Sequence, residues 1–150
     1  MKTRVSVAAL CLALLAGAAP VIGHHAFQAE FDTQRPLNMR GEFVRMDWVN
    51  PHSWVHFEVT LPDGTKEVWE AETPPPNQLI RQGWRRNDLT VGDVIQVAGS
   101  GAKNGSRRMW ASSVTILEHE GQALETPRQV LNMFSQNPEG VPEGLLPPQD

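Results

Sequence analysis

The chain has 150 residues, with 13 Lys and Arg against 17 Asp and Glu and a single cysteine. That length holds one small domain with its own core. The acidic balance argues against nucleic acid or another polyphosphate as partner, because such binding rests on clustered positive charge. A lone cysteine excludes an internal disulfide and a thiolate metal cluster.

Lys2 and Arg4 precede an uncharged, Ala- and Leu-rich run from Val5 to Ala19, which Pro20 and Gly23 interrupt. This is the pattern of a secretory signal peptide over residues 1–23, with cleavage after Val21-Ile22-Gly23 and before His24. A cut around Ala18 competes, although it would leave Pro20 near the new terminus. Cys11 lies inside the apolar run after Leu10, so the small residue that a lipoprotein signal needs is missing. Removing Lys2 and Arg4 from the 13 basic residues leaves 11 against 17 acidic ones, a net charge of −6 for the mature chain. No second apolar stretch approaches the roughly 20 residues that span a bilayer. The expected location is the periplasm or the exterior.

Residues 24–119 are expected to form the folded domain. After a polar and aromatic lead-in, Leu37, Met39, Gly41 and Phe43 alternate with polar residues, as in a half-buried strand. The apolar parity shifts at Val44–Arg45 before Met46 and Trp48, which predicts a β-bulge. Val49-Asn50-Pro51-His52 is a loop. From Ser53 to Thr60, Val55, Phe57 and Val59 point one way, and Trp54, His56 and Glu58 the other. Pro62-Asp63-Gly64-Thr65 is a hairpin turn into a return strand over 66–72. Thr73 and three prolines end that strand. A short helix is predicted from Pro76 to Gln82, with Gly83 as its left-handed cap. Two more strands are expected over 94–98 and 109–117. Residues 120–150 are expected to be a tail, with one short helix starting at Thr126-Pro127 and disorder beyond.

Three strands, a helix and two strands give a mainly β fold, a five-stranded OB-like Greek-key barrel with one short helix between the third and fourth strands. A plain antiparallel sandwich is the alternative. Barrel closure would protect edges that an open five-stranded sheet exposes.

Three constellations carry chemistry. Cleavage before His24 would join its α-amino nitrogen and imidazole as a chelating pair. His25, His52 and His56 are the candidates for further nitrogen ligands. Such a nitrogen set suits copper, zinc or nickel, with Cu(II) at the top of the affinity order. The second constellation is Trp48-Val-Asn-Pro-His-Ser-Trp54. Here Trp48, Asn50, His52, Trp54 and Glu58 form a candidate surface for a ligand or a periplasmic protein partner, at the first loop of an OB-fold. The third is acidic: Glu58, Glu70 and Glu72 lie on adjacent strands, more in keeping with solvated sheet charges than with acid–base catalysis. No nucleophile elbow, phosphate loop or dinucleotide fingerprint is present, so no catalytic residue is assigned and an enzyme is the least supported class.

His24-His25-Ala26-Phe27, Glu30-Phe31-Asp32, Gly41, Trp48 through Trp54, Pro76-Asn77, Arg81-Gln-Gly-Trp84, Gly92-Asp93 and Gly99 together resemble a family of small secreted bacterial proteins catalogued as a domain of unknown function. The resemblance runs from about His24 to Leu117. It implies an exported β-barrel whose mature chain starts at or near the paired histidines, and it implies no established activity. The segment after His119 departs from the family pattern.

Two function classes follow as expectations. One is an exported binding domain for a transition metal, copper favoured, held through His24. The other is an interaction module that docks a partner protein or small ligand through the Trp48–Trp54 loop without metal.

Overall fold

The computed structural model describes residues 29–133. The chain divides into two units, Met1–Glu30 and Phe31–Asp150, and the barrel lies wholly in the second. The segment expected to be a signal peptide, His24, His25 and the segment beyond Met133 lie outside the described residues.

Among the described residues the strands are β1 (Phe31–Asp47), β2 (Ser53–Thr60), β3 (Lys66–Thr73), β4 (Val94–Ala102), β5 (Arg108–His119) and β6 (Gln122–Asn132), with a helix, α1 (Pro76–Arg81), between β3 and β4. They form one sheet in the order β3-β2-β1-β4-β5-β6, and an additional pairing of β3 with β5 closes the first five strands into a barrel. All neighbours are antiparallel except β3 and β5, which run parallel over Glu70↔Arg108, Ala71↔Met109 and Glu72↔Trp110. A five-stranded barrel with its helix between the third and fourth strands is the OB-like architecture.

Period-2 alternation builds the interior. Val55, Phe57 and Val59 of β2 meet Ala71 of β3, Ile95 and Val97 of β4, and Met109, Ala111, Val114 and Ile116 of β5 in one buried cluster. The bulge predicted in the first strand is present: Phe43 pairs with Phe57, Val44 is skipped, and Arg45 pairs with His56. The extra residue restores an inward direction to Met46, which packs against the core. Leu79 of α1 and the following Trp84 plug the barrel interior, and Gly83 takes the expected left-handed conformation at φ 98°.

The segment expected to hold a helix from Thr126 is a strand. β6 pairs antiparallel with the second half of β5 and breaks register between its Ala123 and Arg128 pairings. Pro127, which suits the first turn of a helix, equally suits an irregular edge strand, since it has no N–H to give the ladder. Val130 and Leu131 are buried against the core, so the barrel's apolar cover extends past residue 119. Arg128 ties β6 to the loop after α1 by donating to the carboxylate of Asp88 (3.0 Å) and to its carbonyl oxygen (2.8 Å). The first and fourth strands are also longer than the alternation suggested, reaching back to Phe31 and forward to Ala102.

Asp93, fully buried just before β4, fastens the opposite turns. Its carboxylate accepts from the backbone N–H of Thr90 (2.9 Å) and Glu120 (3.0 Å) and lies 2.8 Å from Nδ1 of His119. Burial alone would raise its pKa, but these donors outweigh it and hold the carboxyl below the ordinary aspartate range. A carboxyl depressed in the folded chain contributes stability that is present above its unfolded value, near pH 3.9, and lost as pH falls through the lower folded value. Asp93→Asn is expected to cost about 1.5–3 kcal/mol at neutral pH. It should also flatten the acid limb of a stability–pH profile measured by urea unfolding. An unchanged acid limb contradicts this role.

Candidate functional site

The β3/β5 seam decides what stands on the outer face of the barrel. Because the pairings run in register, Arg45, His56, Glu70 and Arg108 form one row across β1, β2, β3 and β5. Asp47, Trp54, Glu72 and Trp110 form the next. Their side chains alternate with inward-pointing Val55, Ala71, Met109 and Ala111, so both rows face outward. The Val49–His52 loop, with a cis Asn50–Pro51 peptide, closes over the end of the second row.

His52 lies at the rim of this patch, with its side chain 41% exposed and its Nδ1 in contact with Oε1 of Glu72, whose own side chain is only 9% exposed. The Trp110 ring meets the imidazole edge-on at 5.6 Å and 84°. Phe31, the first residue of β1, also packs against Trp110, tilted at 57° and 6.2 Å away. Glu72 is therefore not the solvated sheet charge that its position in the alternation suggested. It is a buried carboxylate facing an imidazole.

His56 also differs from expectation. The alternation makes it a surface residue, yet it is 5% exposed. Its Nε2 lies 3.0 Å from Oδ2 of Asp47, and its Nδ1 lies 3.4 Å from the Arg45 guanidinium and 3.8 Å from Glu70. Arg45 donates to Oδ1 of Asp47 and holds that carboxyl below the usual range; desolvation opposes the effect and His56 reinforces it. Side chains from two flanking strands, β1 and β3, thus cover an imidazole that points away from the barrel.

Trp54 is half-buried under the Arg108 guanidinium, which stacks at 4.4 Å from the ring and lies 3.2 Å from Glu70 through Nε. Trp48 belongs elsewhere. It packs edge-on against Trp84 at 6.1 Å, with Arg86 over its face at 5.0 Å. The two indoles of the loop therefore support different surroundings. Asn50 is exposed, and Glu58 is held by Lys66 at 2.6 Å. The structure brings His52, His56 and Trp54 together, and sets Trp48 and Glu58 apart from them.

Sequence reading missed Asp47, Arg108 and Trp110. A signal was available: in an OB-like barrel the third and fifth strands close in parallel, which sets the outward residues Arg108 and Trp110 beside Glu70 and Glu72. Among the described residues, no group of three or more His, Cys, Asp or Glu side chains is placed to hold a metal ion. Among the same residues, no helix is long and apolar enough to cross a membrane.

The model of a family of unknown function, DUF6152, matches residues 11–110. The chain belongs to this family. The match covers β1 to the start of β5, and so every residue of the outer patch described above. No curated protein matches the chain. Among solved structures, the chain is similar to apo TiaS, a tRNAIle2 agmatidine synthetase, at 21% identity and a TM-score of 0.40 over 59% of this chain and 19% of that one. It is also similar to a ZRD-deleted mutant of TiaS in complex with agmatine, at 22% identity and a TM-score of 0.42 over 66% of this chain and 27% of that one. The chain thus spans roughly a fifth to a quarter of the length of those structures.

Proposed function

We propose that this family member is an exported, periplasmic binding domain that holds a transition-metal ion, copper before others, through His24 with help from His25, His52 or His56. The observation that supports it is the His52–Glu72 pair beside the start of β1. A half-exposed imidazole backed by a buried carboxylate is a common arrangement around metal-ligating histidines. Phe31 is two ring contacts from His52, through Trp110. Cleavage before His24 supplies the α-amino and imidazole nitrogens, and copper follows from the affinity order for nitrogen sites.

Cu(II) titration of protein purified from the periplasm with its native terminus tests the reading. His24→Ala, and separately acetylation of the α-amino group, should each weaken binding by more than the about 10- to 100-fold that an outer-shell partner contributes. Affinity that ignores both changes contradicts it. Binding should also fall in acid, as protons compete for the nitrogens.

The stacked Trp54–Arg108 pair favours a second reading, an interaction module that docks a protein or small ligand on the same outer face without metal. Tryptophan fluorescence separates the two. Copper at His52, against Trp110, quenches emission at stoichiometric metal, whereas the docking module shows no saturable quenching.

A further inference from the structure

We propose that the surface formed by α1, the turn after it and Trp48 docks onto a negatively charged phospholipid bilayer. It is separate from the His52 and Trp54 patch, and the proposal stands without the metal reading.

The chain is acidic overall, but its cations are unevenly committed. Arg40, Lys66, Arg107 and Arg128 are each held by a carboxylate at 2.5 to 3.0 Å. Arg81, Arg85 and Arg86 are exposed, and among the described residues none of the three pairs with a carboxylate. The neighbouring acids in the chain are already engaged. Asp47 holds Arg45 and His56, and Asp88 holds Arg128 and the backbone N–H of Arg85.

The fold gathers the three arginines. The N–H of Trp84 donates to the carbonyl oxygen of Leu79 (3.0 Å), and the Arg85 guanidinium donates to that of Ile80 (2.9 Å), so the chain folds back against the end of α1. Trp84 packs on Trp48, and the Arg86 guanidinium lies 5.0 Å over the Trp48 ring. Arg85 serves the helix end, where a cation is favourable without any ligand. Arg81 and Arg86 make no such hydrogen bond.

Apolar side chains stand beside these charges. Leu79 of α1 is buried in the core, whereas Asn77, Ile80 and Arg81 recur at i, i+3 and i+4 on the outer side. Ile80 is 45% exposed, and Val49, next to Trp48, is 48% exposed. Arginine, indole and aliphatic side chains together suit a bilayer interface: the guanidinium meets lipid phosphate, the indole sits at headgroup level and the aliphatic groups enter the acyl boundary. An acidic peptide would engage the arginines and leave Ile80 and Val49 in water.

The test measures partition of the chain, purified as for the copper titration, onto sedimented vesicles. Vesicles of phosphatidylglycerol and phosphatidylcholine in equal parts are compared with pure phosphatidylcholine, and thermal unfolding checks that each variant folds. The wild type should bind the anionic vesicles and release as salt screens the charges. Arg81→Gln combined with Arg86→Gln should lower the partition about 30-fold, from about fivefold for each arginine near an anionic surface. Lys66→Glu makes the same change of net charge at the end of β3 away from α1, and should leave binding unchanged. Ile80→Ser changes no charge and should still weaken binding several-fold. No binding, equal binding to the neutral vesicles, or a double variant that binds like the wild type overturns the proposal. So does a loss with Lys66→Glu as large as that of the double variant. Binding to polyglutamate but not to vesicles, insensitive to Ile80→Ser, also overturns it and marks an acidic protein as the partner.

Discussion

Gly99→Val is expected to prevent the barrel from assembling, with a loss of more than about 4 kcal/mol, a large share of the roughly 5–15 kcal/mol available to a domain. A Cβ on Gly99 would overlap the carbonyl oxygen of Trp110, lie 2.8 Å from its carbonyl carbon and 3.1 Å from Cα of Ala111. All three neighbours are backbone, so no side chain can swing aside. The contact arises from register: Ala98 pairs with Ser113 but Gly99 pairs with Ala111, so the β4–β5 ladder slips at this point and the two chains close in. The clash falls next to Trp110, and so strikes the end of β5 that closes against β3. Gly41 is a milder case, where a Cβ would meet the Glu58 carbonyl oxygen at 2.5 Å and the Phe57 ring at 2.9 Å. Urea unfolding followed by circular dichroism should show no cooperative transition for Gly99→Val and a clearly lowered midpoint for Gly41→Ala. A wild-type midpoint for Gly99→Val would mean that β4 and β5 do not approach this closely.

Trp84→Ala is expected to cost about 3–5 kcal/mol. Trp84 is 1% exposed and heads the fully buried side chains by volume. It belongs to the core together with Leu79 of α1 and Leu89 of the following loop, and its indole packs T-shaped against Trp48. Deleting the ring would leave a cavity that rigid strands on the far side cannot collapse to fill, and would also withdraw support from the start of the 48–54 loop. Denaturant unfolding read by circular dichroism measures this without relying on the indole that is lost. Trp84→Phe, which keeps much of the volume, should cost less than half as much. Equal costs for the two variants would show that the fit of the ring, rather than its volume, is what the core requires.

Legibility in the sequence tracked locality. β2 is found at the bounds its alternation gives, Ser53–Thr60, because eight residues of unbroken period-2 pattern leave no competing periodicity. The bulge at Val44 was legible because inserting one residue flips the side-chain parity for everything after it. The prolines and glycine around α1 marked both its ends. What escaped was set by pairing across the chain. His56 alternates as a surface residue, and only the arrival of Asp47, Arg45 and Glu70 from neighbouring strands covers it. Glu72 looks solvated until the loop residue His52 folds back over it. β6 carries a helix signal, because Thr126-Pro127 is a good helix start. Tertiary pairing with β5 instead buries the adjacent Val130 and Leu131. Of the expected site, the structure joins His52, His56 and Trp54 into one patch and detaches Trp48 and Glu58; His24 and His25 lie outside the described residues.

In the metal-binding reading proposed above, function turns on where the chain starts once residues 1–23 are removed. An α-amino nitrogen on His24 makes a chelating pair with its own imidazole, and a start at Pro20 removes it. The intact mass of the protein recovered from the periplasm tests this most directly. The account predicts a chain beginning at His24. A mass that begins at Pro20, or that retains residues 1–23, contradicts it.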